Sequence, residues 1–158
     1  MINNFQLPVF FSILLLLFTN CGHNVEFDQY ETLSDETWSE DNTLNFEAVI
    51  TDTSAVYNVF INVRNRNEYP MSNLFLFVNT TAPSGNMRRD TVEIPMADVH
   101  GKWYGKSVAG IWQHSHLFKK HVKFPIPGEY QFEVTQAMRM EELPGIVDAG
   151  IRITRVTQ

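Results

Sequence analysis

Tyr57-Asn58-Val59-Phe60-Ile61-Asn62-Val63-Arg64, YNVFINVR, is the stretch on which the fold turns. Tyr57, Val59, Ile61 and Val63 fall on one side of an extended chain, and Asn58, Asn62 and Arg64 on the other. A period of two with β-branched and aromatic residues predicts a strand with one face in a core. The preceding run repeats the pattern: Leu44, Phe46, Ala48 and Ile50 share a face, with Asn45 and Glu47 opposite. Downstream, Leu74 to Val78 reads LFLFV, a continuous apolar run that predicts a strand covered on both faces. Ala82-Pro83-Ser84-Gly85-Asn86 supplies turn chemistry, and Arg88 to Ile94 is the returning strand, ended by Pro95.

Towards the C-terminus, Leu117 to Phe124 is a further strand, ended by Pro125-Ile126-Pro127-Gly128. Tyr130, Phe132 and Val134 alternate with polar neighbours, as do Val147, Ala149, Ile151 and Ile153. Only two short segments suggest helix, Met96 to His100 and Ala137 to Glu142. Seven or eight strands, with turn signals roughly every ten residues, predict an all-β fold, an antiparallel β-sandwich. A small closed barrel is the alternative. No repeat of 20 to 50 residues points to a solenoid or propeller.

Composition agrees. The 158 residues suffice for one domain, and 44% apolar content excludes a disordered polymer. Twelve Phe, five Tyr and three Trp suit strands. One Cys excludes a disulfide framework and Cys-based metal clusters. A net charge of −6 argues against nucleic-acid binding.

Leu7 to Phe18, LPVFFSILLLLF, is uncharged but too short to cross a bilayer, and has the length of a signal-peptide core. Cys21 follows at once, after Phe18-Thr19-Asn20, in the manner of a lipobox. Residues 1–20 are thus expected to be a cleaved lipoprotein signal peptide, and Cys21 the lipid attachment site. Several palmitate-type acyl chains there, at about 0.8 kcal/mol per buried methylene, make attachment effectively permanent. Asn20 and Phe18 depart from the usual lipobox residues, and Met1 to Gln6 has no Lys or Arg.

Residues 21–42 are expected to be an acidic tether and 43–158 the sandwich domain. Between Glu26 and Asp52 there are nine acidic residues and no Lys or Arg; from Arg64 onward there are twelve basic and nine acidic residues. An acidic tether is repelled by anionic lipid and holds the domain off the membrane. Phe27, Tyr30, Leu33 and Trp38 equally suit an arm docked on the domain.

Catalytic and metal-binding signatures fail on inspection. Gly101-Lys102-Trp103-Tyr104-Gly105-Lys106-Ser107 is one residue short of a phosphate loop, with bulky rings where backbone amides must wrap a phosphate. It reads instead as a glycine-hinged strand with core aromatics. His114-Ser115-His116 places two imidazoles on one face if extended, with His121 nearby, but lacks further zinc ligands and reads as a solvent-facing loop. Ser84 lacks a nucleophile elbow, and Glu141-Glu142 and Glu129/Glu133 read as surface charge. No catalytic residue, metal or cofactor is implied.

Several blocks carry a resemblance. They are Tyr57 to Asn65; Tyr69-Pro70-Met71-Ser72-Asn73-Leu74-Phe75-Leu76-Phe77; Arg89-Asp90-Thr91-Val92-Glu93; and Gly101 to Lys106. Phe124-Pro125, Gln136-Ala137-Met138-Arg139 and Leu143 to Ile153, LPGIVDAGIRI, complete the series. In this order, behind a lipobox-like Cys, they resemble the gliding-motility lipoprotein GldH family of Bacteroidota, over roughly residues 21 to 156. The resemblance implies an outer-membrane lipoprotein of the gliding apparatus, which is linked to type IX secretion. Its implied partners are other envelope lipoproteins and the membrane. It carries no catalytic residue across and gives a role to Cys21 alone.

From the residues themselves, Tyr57, Tyr69, Trp103 and Trp112, set near Arg and Asn, are the candidate interface for such a partner. The expected function is therefore non-enzymatic docking. A carbohydrate-binding sandwich is the alternative, and would need a solvent-facing row of Trp and Tyr. A small hydrolase with an unrecognised site ranks last.

Overall fold

The computed structural model describes residues 24–156. Eleven strands follow one another: β1 Val25–Thr32, β2 Thr37–Ser39, β3 Leu44–Ile50, β4 Tyr57–Asn65, β5 Asn73–Thr81, β6 Met87–Pro95, β7 Lys106–Val108, β8 Ile111–Val122, β9 Gly128–Gln136, β10 Glu142–Pro144 and β11 Ile146–Arg155. A single 3-10 turn, Ser34–Glu36, is the only helical element described. All pairings are antiparallel. One sheet runs β1-β11-β4-β8-β7, the other β3-β9-β5-β6, and β2 pairs with β10 in a short ribbon.

The alternation read from the sequence sets the core. Val59, Ile61 and Val63 stand beside Ile153, Ile151 and Ala149 in register and are buried. Leu44, Phe46, Ala48 and Ile50 meet them from the second sheet, with Leu74, Leu76, Val78, Phe132 and Val134. At about 25 cal/mol per Å² of apolar surface, burying these side chains is the main stabilising term. The expected antiparallel sandwich is therefore what forms, with more strands than seven or eight because three short pieces, β2, β7 and β10, add to the long ones.

Three local expectations are corrected. Met96 to His100 is a loop rather than a helix, and Ala137 to Glu142 is a loop that runs into the start of β10. Met96 instead turns inward, fully buried, and its N–H bonds the Ser72 carbonyl. In β5 only Leu74, Leu76 and Val78 are buried, so the run is covered on one face. Phe77 lies half-buried on the outer face, with the Arg89 guanidinium 4.1 Å above its ring. His114 and His116 lie within β8 rather than in a loop.

The largest correction concerns the described part of the expected tether, residues 24–42. Val25–Thr32 is an edge strand along β11, and the Leu33 N–H donates to the Val147 carbonyl. Trp38 is fully buried, its indole N–H donating to the Asn42 carbonyl at 2.9 Å. The segment is thus a docked arm, and the folded unit starts at β1. Acidic residues of the arm, and one from the loop after β3, pair with the body: Glu26 with Arg155 at 2.8 Å, Glu36 with Arg66 at 2.7 Å and Asp52 with Arg155 at 3.0 Å. Part of the charge split along the chain thus closes as long-range ion pairs.

Candidate functional site: a polar plateau on the five-stranded sheet

Of the residues proposed from sequence as an interface, the fold buries two and half-buries two. Tyr57 and Tyr69 are buried, and each hydroxyl is spent on a backbone carbonyl at 2.7 Å, that of Asp52 and of Asn73. Burial pushes both phenols above their usual range. Trp103 is half-buried against Tyr69, with ring centres 6.1 Å apart. Trp112 is half-buried and donates its indole N–H to Asn67 Oδ1 at 2.9 Å. Tyr57 and Tyr69 therefore cannot present a ring to a partner. Cys21 lies outside the described residues.

What the sheet does present is on its other side. Because partners in register share a face, the residues that alternate with the core positions of β1, β11, β4 and β8 point outward together. They are Asp28 and Tyr30, Asp148, Gly150 and Arg152, Asn62 and Arg64, and Gln113, Ser115 and Leu117. Gly150 lets Tyr30 lie down: a Cβ at that position would sit 3.0 Å from the Tyr30 ring. The Arg64 guanidinium then stacks 4.3 Å over the same ring while Nη1 donates to Asp148 Oδ2 at 3.0 Å. Gln113 Nε2 donates to the Tyr30 hydroxyl at 3.4 Å, and Ser115 Oγ to Asn62 Oδ1 at 2.6 Å.

This side of the sheet is unusual in burying polar groups. Asn62 is 2% exposed and Asp148 4%. Burial lifts the Asp148 carboxyl above its ordinary range, with the charge and hydrogen bond of Arg64 pulling it back. Burial likewise raises the Tyr30 phenol, helped by the Asp28 charge. Asp148 Oδ1 and Arg152 Nε have no hydrogen-bond partner among the described residues. Leu117, at 40% exposure, gives the plateau an apolar margin. Such a surface can hold another surface through stacking and charge-assisted hydrogen bonds. It holds no nucleophile–base pair.

The two histidines point to the core side of β8, beside Val63 and Ile61 in register. Their ring centres are 6.4 Å apart, and Tyr104 stacks near His114 at 6.2 Å. Burial lowers both imidazoles, and His114 is lowered further by His116. Among the described residues, no three His, Cys, Asp or Glu side chains converge as metal ligands. The Gly101–Ser107 stretch splits into an isolated bridge from Trp103 to Ala97 and the start of β7. Gly105 is needed there, with φ of 91° and no room for a Cβ against the Gln113 carbonyl.

The GldH lipoprotein family profile matches residues 25–153, which run from the first residue of β1 into β11. The chain belongs to the GldH lipoprotein family. A gliding motility lipoprotein GldH homolog of Christiangramia forsetii is 36% identical over 152 residues, covering 92% of this chain and 93% of the relative. The gliding motility lipoprotein GldH of Flavobacterium johnsoniae is 36% identical over 146 residues, covering 88% and 89%. Among solved structures, one of infectious bursal disease virus aligns with 82% of this GldH-family chain and 32% of its own. Its TM-score of 0.34 at 9% identity carries no argument. The resemblance read from the sequence thus holds. The GldH family region begins where the docked arm begins, so the arm is part of the family's fold and not an appendage.

Proposed function

We propose that this chain is a non-enzymatic docking component of the gliding-motility machinery. Acyl chains on Cys21 hold it at the outer membrane, and the machinery links it to type IX secretion. Its partners are other envelope lipoproteins, bound through the outer side of the five-stranded sheet. The observation that carries this reading is the Tyr30–Arg64–Asp148 plateau. Tyr and Arg are the residues that interfaces enrich, and here they are held rigid by stacking and an ion pair before any partner arrives. The carbohydrate alternative loses its platform, because Tyr104 is the one exposed aromatic ring among the described residues.

Pull-down after crosslinking in the native host tests the surface and the anchor together. Leu117→Glu on the plateau margin is expected to lose envelope lipoproteins that the wild type retains. Glu47→Arg, exposed on the opposite sheet, is expected to keep them. Cys21→Ala is expected to leave the membrane fraction. Retention of the same partners by Leu117→Glu removes the plateau from the account, and membrane association of Cys21→Ala removes the anchor.

A further inference from the structure

A second site lies away from the plateau, between the two sheets where the sandwich is open. A cavity of about 280 Å³ separates the edge strand β6 from the end of β8. Its walls are aromatic and aliphatic: Phe118, Phe124, Tyr130, Phe132, Val59 and Val122. Phe124 packs edge-on against Tyr130 at 4.6 Å, and the Tyr130 hydroxyl is satisfied by the Ile126 carbonyl at 2.9 Å. The interior is therefore apolar, and the one buried lining atom without a hydrogen-bond partner among the described residues is Asp90 Oδ2, at the mouth.

The mouth is different. Arg88, Lys119 and Lys123 stand around it, and Asp90 is the one carboxylate among the lining residues. Asp90 reaches across the opening to Lys119 at 2.9 Å and to Arg88 at 3.4 Å. Three cations against one carboxylate leave the rim positive on a chain whose net charge is −6. The adjoining edges are guarded against strand addition. Arg88, Arg89 and Asp90 charge β6, and β8 carries Lys119, Lys120 and a positive-φ residue, His121. What fits is a narrow apolar chain ending in a negative charge, not another strand.

Position supports the same occupant. The register places Val25, Thr154 and Asn58 side by side, and Tyr57 beside Val122. The cavity therefore sits at the end of the sandwich from which the N-terminus leaves. With the anchor proposed at Cys21, that end is nearest the lipid. We propose that this slot binds a single-chain anionic amphiphile, a fatty carboxylate, with its tail between the sheets and its head on Lys123 and Lys119.

Photolabelling of the full-length lipidated protein in zwitterionic phosphatidylcholine nanodiscs tests this. The probe is a dodecanoate carrying a diazirine in its tail, and the comparison is the matching dodecanol. The expected result is labelling concentrated on peptides bearing Phe118, Phe124 or Phe132 and displaced by unlabelled dodecanoate. Ala82→Trp, which fills the slot, is expected to cut labelling about tenfold. Lys123→Glu, at an exposed position on the rim, is expected to cut it about fivefold while the melting temperature stays unchanged. Labelling spread evenly over the surface overturns the site. Equal labelling by the alcohol, or none lost in a folded Ala82→Trp, overturns it as well. The anchor proposal fails separately, by fractionation of Cys21→Ala.

Discussion

A methyl group at position 150 would meet the Gln29 carbonyl and the Tyr30 ring, so one glycine decides whether the plateau can form. Gly150→Ala is expected to destabilise the domain by about 1–3 kcal/mol, measured by chemical denaturation, because the Gln29 backbone and the Tyr30 ring must both give way. The outcome that contradicts this is wild-type stability with Tyr30 still stacked under Arg64. Titration adds a second test. The His114 and His116 imidazoles are depressed in the folded state by burial, so the unfolded chain takes up protons first as pH falls. Their contribution to stability is complete above the ordinary histidine value of 6.5 and is lost as pH drops through the folded values. A His114→Gln/His116→Gln protein is expected to lose less stability than the wild type between neutral pH and pH about 5. Parallel pH profiles of melting temperature would contradict it. At this scale the sequence misleads for a physical reason. Tyr57 and Tyr30 are the same residue type on alternating strands, yet one ring is buried and the other caps a glycine. What distinguishes them is the neighbour across the sheet, which lies far along the chain.

Among the elements, β3, β4, β9 and β11 are legible because apolar residues alternate along each of them, even where β4 and β11 also bury polar groups on the second face. The arm was not. In VEFDQYET the positions facing inward are Phe27, Gln29 and Glu31, since an edge strand needs only part of an apolar face. Its partner β11 is also remote in sequence, so no local pattern announces the pairing. Removing residues 22–42 while keeping Cys21 is expected to abolish cooperative folding, read by circular dichroism on heating. That deletion uncovers β11 and takes away Leu33 and Trp38, both buried. A tether, by contrast, would be removed without changing the melt. The β7–β8 turn offers a gain instead of a loss. Val108 pairs with Ile111 across Ala109 and Gly110, both at positive φ, 50° and 78°. Two such residues make the turn that suits the twist of a hairpin, and Ala is strained there. Ala109→Gly is expected to stabilise by up to about 1 kcal/mol. A lower melting temperature would refute this reading of the turn.

At the scale of the whole molecule, part of the acidic first third is paired with arginines of the basic remainder. Glu26, Glu36 and Asp52 lie on or beside the N-terminal elements, and Arg66 and Arg155 wait for them on β4's end and β11. Composition showed the asymmetry, but only the fold shows that part of it closes on itself. What it leaves uncovered is the plateau, whose charges pair within the surface and whose rings are already placed. The docking proposed for this chain uses that surface. Site-specific photocrosslinking in living cells tests this most directly, with a photoreactive residue in place of Leu117 on the plateau or Glu47 on the opposite sheet. A discrete adduct with an envelope lipoprotein from position 117 and none from position 47 is the predicted result. Adducts from position 47 alone, or from neither position, would contradict it.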